Sequence, residues 1–151
     1  MLSSMTSITV GVSLLHERAQ LPCPAHSAEE DAGLDLVAAE ELRLGPGEWG
    51  AVGTGLILEI PPGYEGQVRP RSGLVLRHGV TLLNSPGTID PGYRGEVRVI
   101  LINHGKSEFT IRPGDRIAQL LLGSYAAVEW RLQSSLNASA RGSGGFGSTG
   151  V

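Results

Sequence analysis

An amide, an acid and a phenol fall within ten residues of one another at Asn84, Asp90 and Tyr93. The segment that carries them, 84–96, reads Asn-Ser-Pro-Gly-Thr-Ile-Asp-Pro-Gly-Tyr-Arg-Gly-Glu. Apolar runs flank it at 80–83 and 97–102, and two prolines and three glycines lie inside it, so the chain must turn sharply here. A turn between two strand-like runs reads as a hairpin. Asp before Pro starts many turns, and a lone Tyr packs on many strand edges. A hairpin that only reversed the chain would need none of the three side chains, so together they mark a built pocket. Near its tip, backbone N–H and C=O groups stand free to read a flat polar ring along its edge.

Four other constellations accompany it. Pro-Arg-Ser-Gly at 70–73 sets Arg71 and Ser72 against a glycine. The Ser72 N–H and hydroxyl can then approach an anion, or Ser72 can simply cap a helix behind an edge arginine. Arg69 and Arg71 alternate onto one strand face. Asp35 sits between Leu34 and Leu36, so alternation turns it to the opposite face. If that face is buried the carboxylate needs a partner or a metal; if it is exposed nothing follows. Gln119 interrupts the apolar strand 116–122, either as an edge residue or as an inward amide that donates to an oxyanion. The tail 141–150, Arg-Gly-Ser-Gly-Gly-Phe-Gly-Ser-Thr-Gly, reads first as a flexible Gly/Ser segment. Its glycines also permit close wrapping around an anion, with charge from Arg141 and a ring from Phe146. It is not a Walker loop.

These groups must be positioned by short strands. Strand-length runs occur at 8–15, 34–38, 48–52, 56–60, 65–71, 80–83, 96–102, 108–111, 116–122 and 127–132, separated by Gly/Pro turns, and the best helix candidate is 73–78. This spacing predicts an all-β sandwich or barrel. At 151 residues the chain suits one domain, 1–133, followed by a flexible tail, 134–151. The single Cys23 excludes an intramolecular disulfide framework and fits a reducing compartment. A net charge of −3 argues against a general nucleic-acid binder. Eleven of the twelve Lys and Arg residues are arginine, suited to forked contacts with phosphate or carboxylate oxygens. No apolar run is long enough to span a membrane, and the first fifteen residues lack the basic start and cleavage site of a secretory signal. Translation can start at Met1 or at Met5.

Taken in order, Ala-Gly-Leu-Asp-Leu (32–36), Pro-Arg-Ser-Gly-Leu (70–74), Gly-Thr-Ile-Asp-Pro-Gly-Tyr-Arg-Gly-Glu (87–96), Gly-Asp-Arg-Ile-Ala-Gln-Leu (114–120) and the tail motif (141–150) resemble the five motifs of the trimeric dUTPase family. The resemblance implies a jelly-roll-like β fold, a homotrimer with active sites shared between subunits, and a cytoplasmic enzyme. It implies hydrolysis of dUTP to dUMP and pyrophosphate with Mg2+ on the triphosphate, limiting dUTP for DNA synthesis and supplying dUMP for dTMP synthesis. It assigns Asp90 to activating the attacking water and Asn84, with hairpin backbone, to reading uracil. Tyr93 would pack on deoxyribose and leave no room for a 2′-hydroxyl. Arg71, Ser72 and Gln119 would hold phosphates, with Gly73 and Thr88 also at the substrate, and Asp35 would act through the metal's water shell. The tail would close over a site on other subunits, with Phe146 on the uracil, Arg141, Ser148 and Thr149 on the terminal phosphates, and Gly147 beside them. The acidic stretch before the first motif, His-Ser-Ala-Glu-Glu-Asp at 26–31, has no place in this pattern.

Two alternatives remain. The dCTP deaminase branch resembles this chain around Ile-Asp-Pro-Gly but carries a glutamate ten residues after the aspartate, where this chain has Ile100. The other is a β-protein that binds nucleotide without reaction.

Overall fold

The computed structural model describes residues 5–150, so the choice between Met1 and Met5 and the outermost ends of the domain and tail fall outside the described residues. Among the described residues ten strands and one short helix follow one another: β1 (Gly11–Leu14), β2 (Leu34–Val37), β3 (Leu42–Leu44), β4 (Trp49–Glu59), β5 (Tyr64–Arg69), α1 (Ser72–His78), β6 (Val80–Leu82), β7 (Gly87–Ile89), β8 (Glu96–Asn103), β9 (Phe109–Ile111) and β10 (Arg116–Ser124). The strands form two four-stranded sheets, ordered β1-β4-β8-β6 and β2-β10-β5-β7, and a small β3-β9 pair. All pairings are antiparallel. The all-β expectation holds.

Alternation explains the core. Val52, Leu56 and Leu58 from β4, Val97, Val99 and Leu101 from β8, and Leu36, Val68 and Leu120 from the other sheet are all buried in one cluster. Each such side chain removed from water contributes about 1.5–3 kcal/mol, which is why strands this short hold together.

The two runs at 48–52 and 56–60 are one strand, not two. Between Gly53 and Ile57 the pairing with β8 slips, and side chains satisfy the backbone that the slip frees. Glu40 accepts from Gly53 N–H (2.7 Å), Glu96 accepts from Gly55 N–H (3.2 Å), and the buried Thr54 hydroxyl donates to the Val97 carbonyl (2.6 Å). Gly-Thr-Gly interrupts the apolar pattern without breaking the strand.

Two strands carried no sequence signal. β3 is only a Leu-Arg-Leu triplet, and β7 lies inside the segment read as a turn. The run at 127–132 forms no strand: Val128, Trp130 and Leu132 are 66, 90 and 100% exposed. The helix begins one residue earlier than expected, at Ser72. Its N-cap is Arg71, with extended φ and ψ and no side-chain cap, so Ser72 is the first helical residue and not the cap.

The segment 84–96 is more than a hairpin. β6 and β8 do pair, Leu82 opposite Leu101, but the chain between them leaves that sheet to add β7 to the edge of the other. Gly66, Gln67 and Val68 of β5 face Ile89, Thr88 and Gly87.

Candidate active site

The second sheet brings the first half of the site together by register. Asp35 on β2 stands opposite Gln119 on β10, and Gln119 stands opposite Arg69 on β5. A cleft of about 400 Å³ opens on this rung, lined by Asp35, Arg69, Gln119 and the start of the helix, Arg71, Ser72 and Gly73. β5 ends at Arg69, so Arg71 reaches the cleft from the helix N-cap and not by strand alternation. Asp35 lies on the cleft face, opposite the core-facing Leu36, yet is only 19% exposed, and its carboxylate has partners. Arg71 Nε lies 3.5 Å from one oxygen and Arg116 Nη1 3.5 Å from the other. Arg71, 30% exposed, forms the stronger pair; Arg116 is 55% exposed and solvent screens it. Arg71 Nη1 also donates to the Arg116 carbonyl (3.2 Å), which fixes the guanidinium plane.

Gln119 is half-buried, and its Nε2 donates to the Pro70 carbonyl (3.0 Å). One amide hydrogen remains for a ligand. Gly33 makes this possible, because a Cβ there would collide with Gln119 Oε1. The Ser72 and Gly73 amides, in the first turn of the helix, have no intrahelical acceptor. This cleft suits an anion with several oxygens.

The second half lies elsewhere. A cleft of about 290 Å³ is lined by Asn84, Gly87, Thr88, Tyr93 and the apolar side chains of Val68, Leu82 and Ile100. It shares no lining residue with the first. The neighbours Val68 and Arg69 line different clefts because successive strand residues point to opposite faces. Asn84, Thr88 and Tyr93 thus come together, as do Asp35, Arg71, Ser72, Gly73 and Gln119, but the two sets do not meet within one chain.

Asp90 stands in an exposed turn between Ile89 and Tyr93, which both line the second cleft. The Tyr93 N–H donates to the Asp90 backbone carbonyl (3.1 Å), closing the turn around Pro91. Arg94 braces it, its Nη1 donating to the carbonyls of Pro91 (2.7 Å) and Tyr93 (3.0 Å). The other aspartates are engaged: Asp31 and Asp115 accept backbone N–H groups and Asp35 pairs with arginines. Among the described residues Asp90 is the aspartate whose carboxylate has neither a hydrogen bond nor an ion pair.

The tail joins neither cleft. Residues 134–150 are largely exposed, and their hydrogen bonds close turns within the tail, such as Ser148 N–H to the Gly145 carbonyl (3.0 Å). Arg141 Nε donates to the Gly144 carbonyl (2.6 Å), and the fully exposed Phe146 has φ 51° beside Gly147 at φ 79°.

The acidic stretch finds a structural role. Asp31 accepts from the backbone N–H groups of His26 (2.6 Å) and Ser27 (3.1 Å) and faces the His26 ring, tying the loop 26–31 along the rim of the first cleft. These donors, the His26 amide first, hold the Asp31 carboxyl below its ordinary value. A depressed pKa stabilises the loop above the ordinary carboxylate range and is lost as pH falls through the lowered value. The His26 and Ser27 amide NMR shifts are therefore expected to titrate below that range, and to lose this step in Asp31→Asn. Arg116 and Gly33 escaped the sequence reading; each lies within a motif, but its contact depends on a partner far along the chain.

A family model described as dUTPase matches residues 19–150. The chain belongs to the dUTPase family. It is 56% identical over 146 residues to the deoxyuridine 5'-triphosphate nucleotidohydrolase of Solibacter usitatus, covering 97% of this chain and 99% of that one. The enzyme of the same description from Anaeromyxobacter sp. is 55% identical over 144 residues, 95% of this chain and 98% of that one. Among solved structures, a Staphylococcus bacteriophage 80alpha dUTPase with dUpNHpp superposes with a TM-score of 0.88 at 28% identity, over 96% of this chain and all of that one. The dUTPase of S. aureus phage phi11, whose structure coordinates a structural Mg(II) ion, superposes with a TM-score of 0.79 at 25% identity, over 87% of this chain and all of that one. The dUTPase family relationship thus covers both clefts and the tail.

Proposed function

We propose that this chain is a dUTP diphosphatase that hydrolyses dUTP to dUMP and pyrophosphate by attack of water on the α-phosphorus. The observation that carries the reading is the Asp90 carboxylate, unengaged among the described residues beside a cleft lined by an amide, a threonine and a phenol. Asp90 takes a proton from the water as its oxygen bonds to phosphorus; the bond to the bridging oxygen breaks and pyrophosphate leaves. Phosphoryl transfer needs chiefly positioning and charge neutralisation. Arg71 with the Ser72 and Gly73 amides and Gln119 offer forked and backbone donors to the phosphates. Asn84 and the hairpin backbone hold uracil, with Thr88 also at the substrate, and leave groups unpaired with cytosine, so cytosine is rejected. Tyr93 packs on the deoxyribose.

Among the described residues no group of three or more His, Cys, Asp or Glu could hold a metal ion by itself. That fits Mg2+ held mainly by the triphosphate, because Mg2+ keeps waters and takes one or two carboxylates. Asp35 suits contact through such a water, since its ion pairs at 3.5 Å are loose enough to leave lone pairs free. Bound there, Mg2+ neutralises phosphate charge.

Two clefts without a shared residue support a complete site formed between copies, in a homotrimer of jelly-roll-like subunits. The exposed row Val128, Trp130 and Leu132 alternates like a strand and offers apolar surface for a neighbouring copy. The segment 134–151 then acts as a separate flexible lid: Phe146 over uracil, with Arg141, Gly147, Ser148 and Thr149 at the terminal phosphates. The working place is the cytoplasm, where the enzyme limits dUTP for DNA synthesis and supplies dUMP for dTMP synthesis. The unpaired Cys23 agrees with a reducing compartment, and no helix among the described residues is long and apolar enough to cross a membrane.

A panel of dUTP, dCTP and dTTP with Mg2+ tests the reading. Pyrophosphate is expected from dUTP alone, with a solution mass three times the 15.8 kDa chain. Ammonia from dCTP would make the chain a deaminase, and pyrophosphate from none of the three would make it a silent nucleotide binder.

A further inference from the structure

Gly95 is a glycine that no turn requires. Its φ lies outside the left-handed region, so its backbone would accept any L-residue. What excludes a side chain is Tyr93. A Cβ at 95 would overlap the phenol oxygen and stand 2.5 Å from Cζ and 2.9 Å from Cε2. The phenol lies over Gly95 because its Oη donates to the Glu96 carbonyl (3.0 Å). Glu96 is itself held, its carboxylate accepting the Gly55 N–H (3.2 Å) and pairing with Arg98 (3.4 Å). Tyr93 is thus tethered to the fixed start of β8, and the missing Cβ lets it lie flat there.

We propose that Gly95 is a positioning residue that sets where Tyr93 stands and, through it, how strictly deoxyribose is chosen over ribose. The inference rests on the reading of Tyr93 as the sugar-packing residue. An alanine at 95 is absorbed by moving the ring, which is 46% exposed, and not by moving the backbone. The displaced ring then leaves room for a 2′-hydroxyl.

The test is kcat/KM for UTP and for dUTP in the parent, Gly95→Ala, Tyr93→Ala and the double variant. Their ratio is independent of how much protein is active. Gly95→Ala is expected to raise the UTP:dUTP ratio by about 10-fold, and Tyr93→Ala by at least as much. The double variant is expected to match Tyr93→Ala, because Gly95 acts only through the ring. If Tyr93→Ala shifts the ratio and Gly95→Ala does not, or if the two effects add, the role of Gly95 is overturned while the Tyr93 reading stands. If neither shifts it, the Tyr93 reading itself falls. Should Gly95→Ala not fold, the double variant is expected to fold, because removing the ring removes the overlap with the new Cβ, and a double variant that stays unfolded overturns the proposal.

Discussion

Asp90→Asn is expected to lower dUTP turnover by about 10²-fold or more while nucleotide binding persists. The amide has the size of the carboxylate but cannot take a proton from water. The change leaves the turn intact, because the bond that closes it runs from the Tyr93 N–H to the Asp90 backbone carbonyl (3.1 Å) and does not involve the side chain. Among the described residues the carboxylate has no arginine or backbone partner to release, so no structural loss accompanies the substitution. Arg71→Ala would be a poorer probe, since it also strips Asp35 of its better-shielded partner. Pyrophosphate release in a single turnover, set against dUTP binding by calorimetry, measures the two effects separately. Turnover at the parent rate would remove Asp90 from the mechanism.

Deleting 140–151 is expected to leave the fold and the solution mass unchanged while turnover falls on the order of 10²-fold, the scale of losing aimed donors from a site. Among the described residues the hydrogen bonds of this segment close on itself or on the exposed neighbour Ser139, and Phe146 is fully exposed, so the core loses nothing. A lid that excludes water and adds Arg141 to the phosphates accounts for the loss. Thermal unfolding and sedimentation check the first half of this expectation, and the dUTP assay checks the second. If the truncated chain unfolds or changes its mass, the tail is structural and the lid reading fails.

Much of the fold was legible because strand rules are local. Alternation turned Asp35 away from Leu34 and Leu36, and in the structure Leu36 is sealed in the core while Asp35 faces a cleft. The helix at 73–78 was found to within one residue, since Gly79 stops it in a left-handed conformation (φ 67°). Other features were not local. Gly53-Thr54-Gly55 resembles a break until Glu40, Glu96 and Thr54 are seen to satisfy it. Val128, Trp130 and Leu132 alternate as a strand does, yet among the described residues they pair with no strand and stay exposed.

The order of residues alone names the chemical groups the protein owns: Asp35, Arg71-Ser72, Asn84, Asp90, Tyr93, Gln119 and the tail from Arg141 to Thr149. It also gives most strands and the sharp turns, though not β3 or β7, because side-chain direction and turn chemistry depend on near neighbours. Which groups meet is set by long-range strand pairing. Register across β2, β10 and β5 brings Asp35, Gln119 and Arg69 onto one rung, and the excursion of β7 carries Asn84, Thr88 and Tyr93 to a separate cleft. A one-residue slip in any of these pairings would turn the same side chains to the other face, and no short window of sequence encodes that offset.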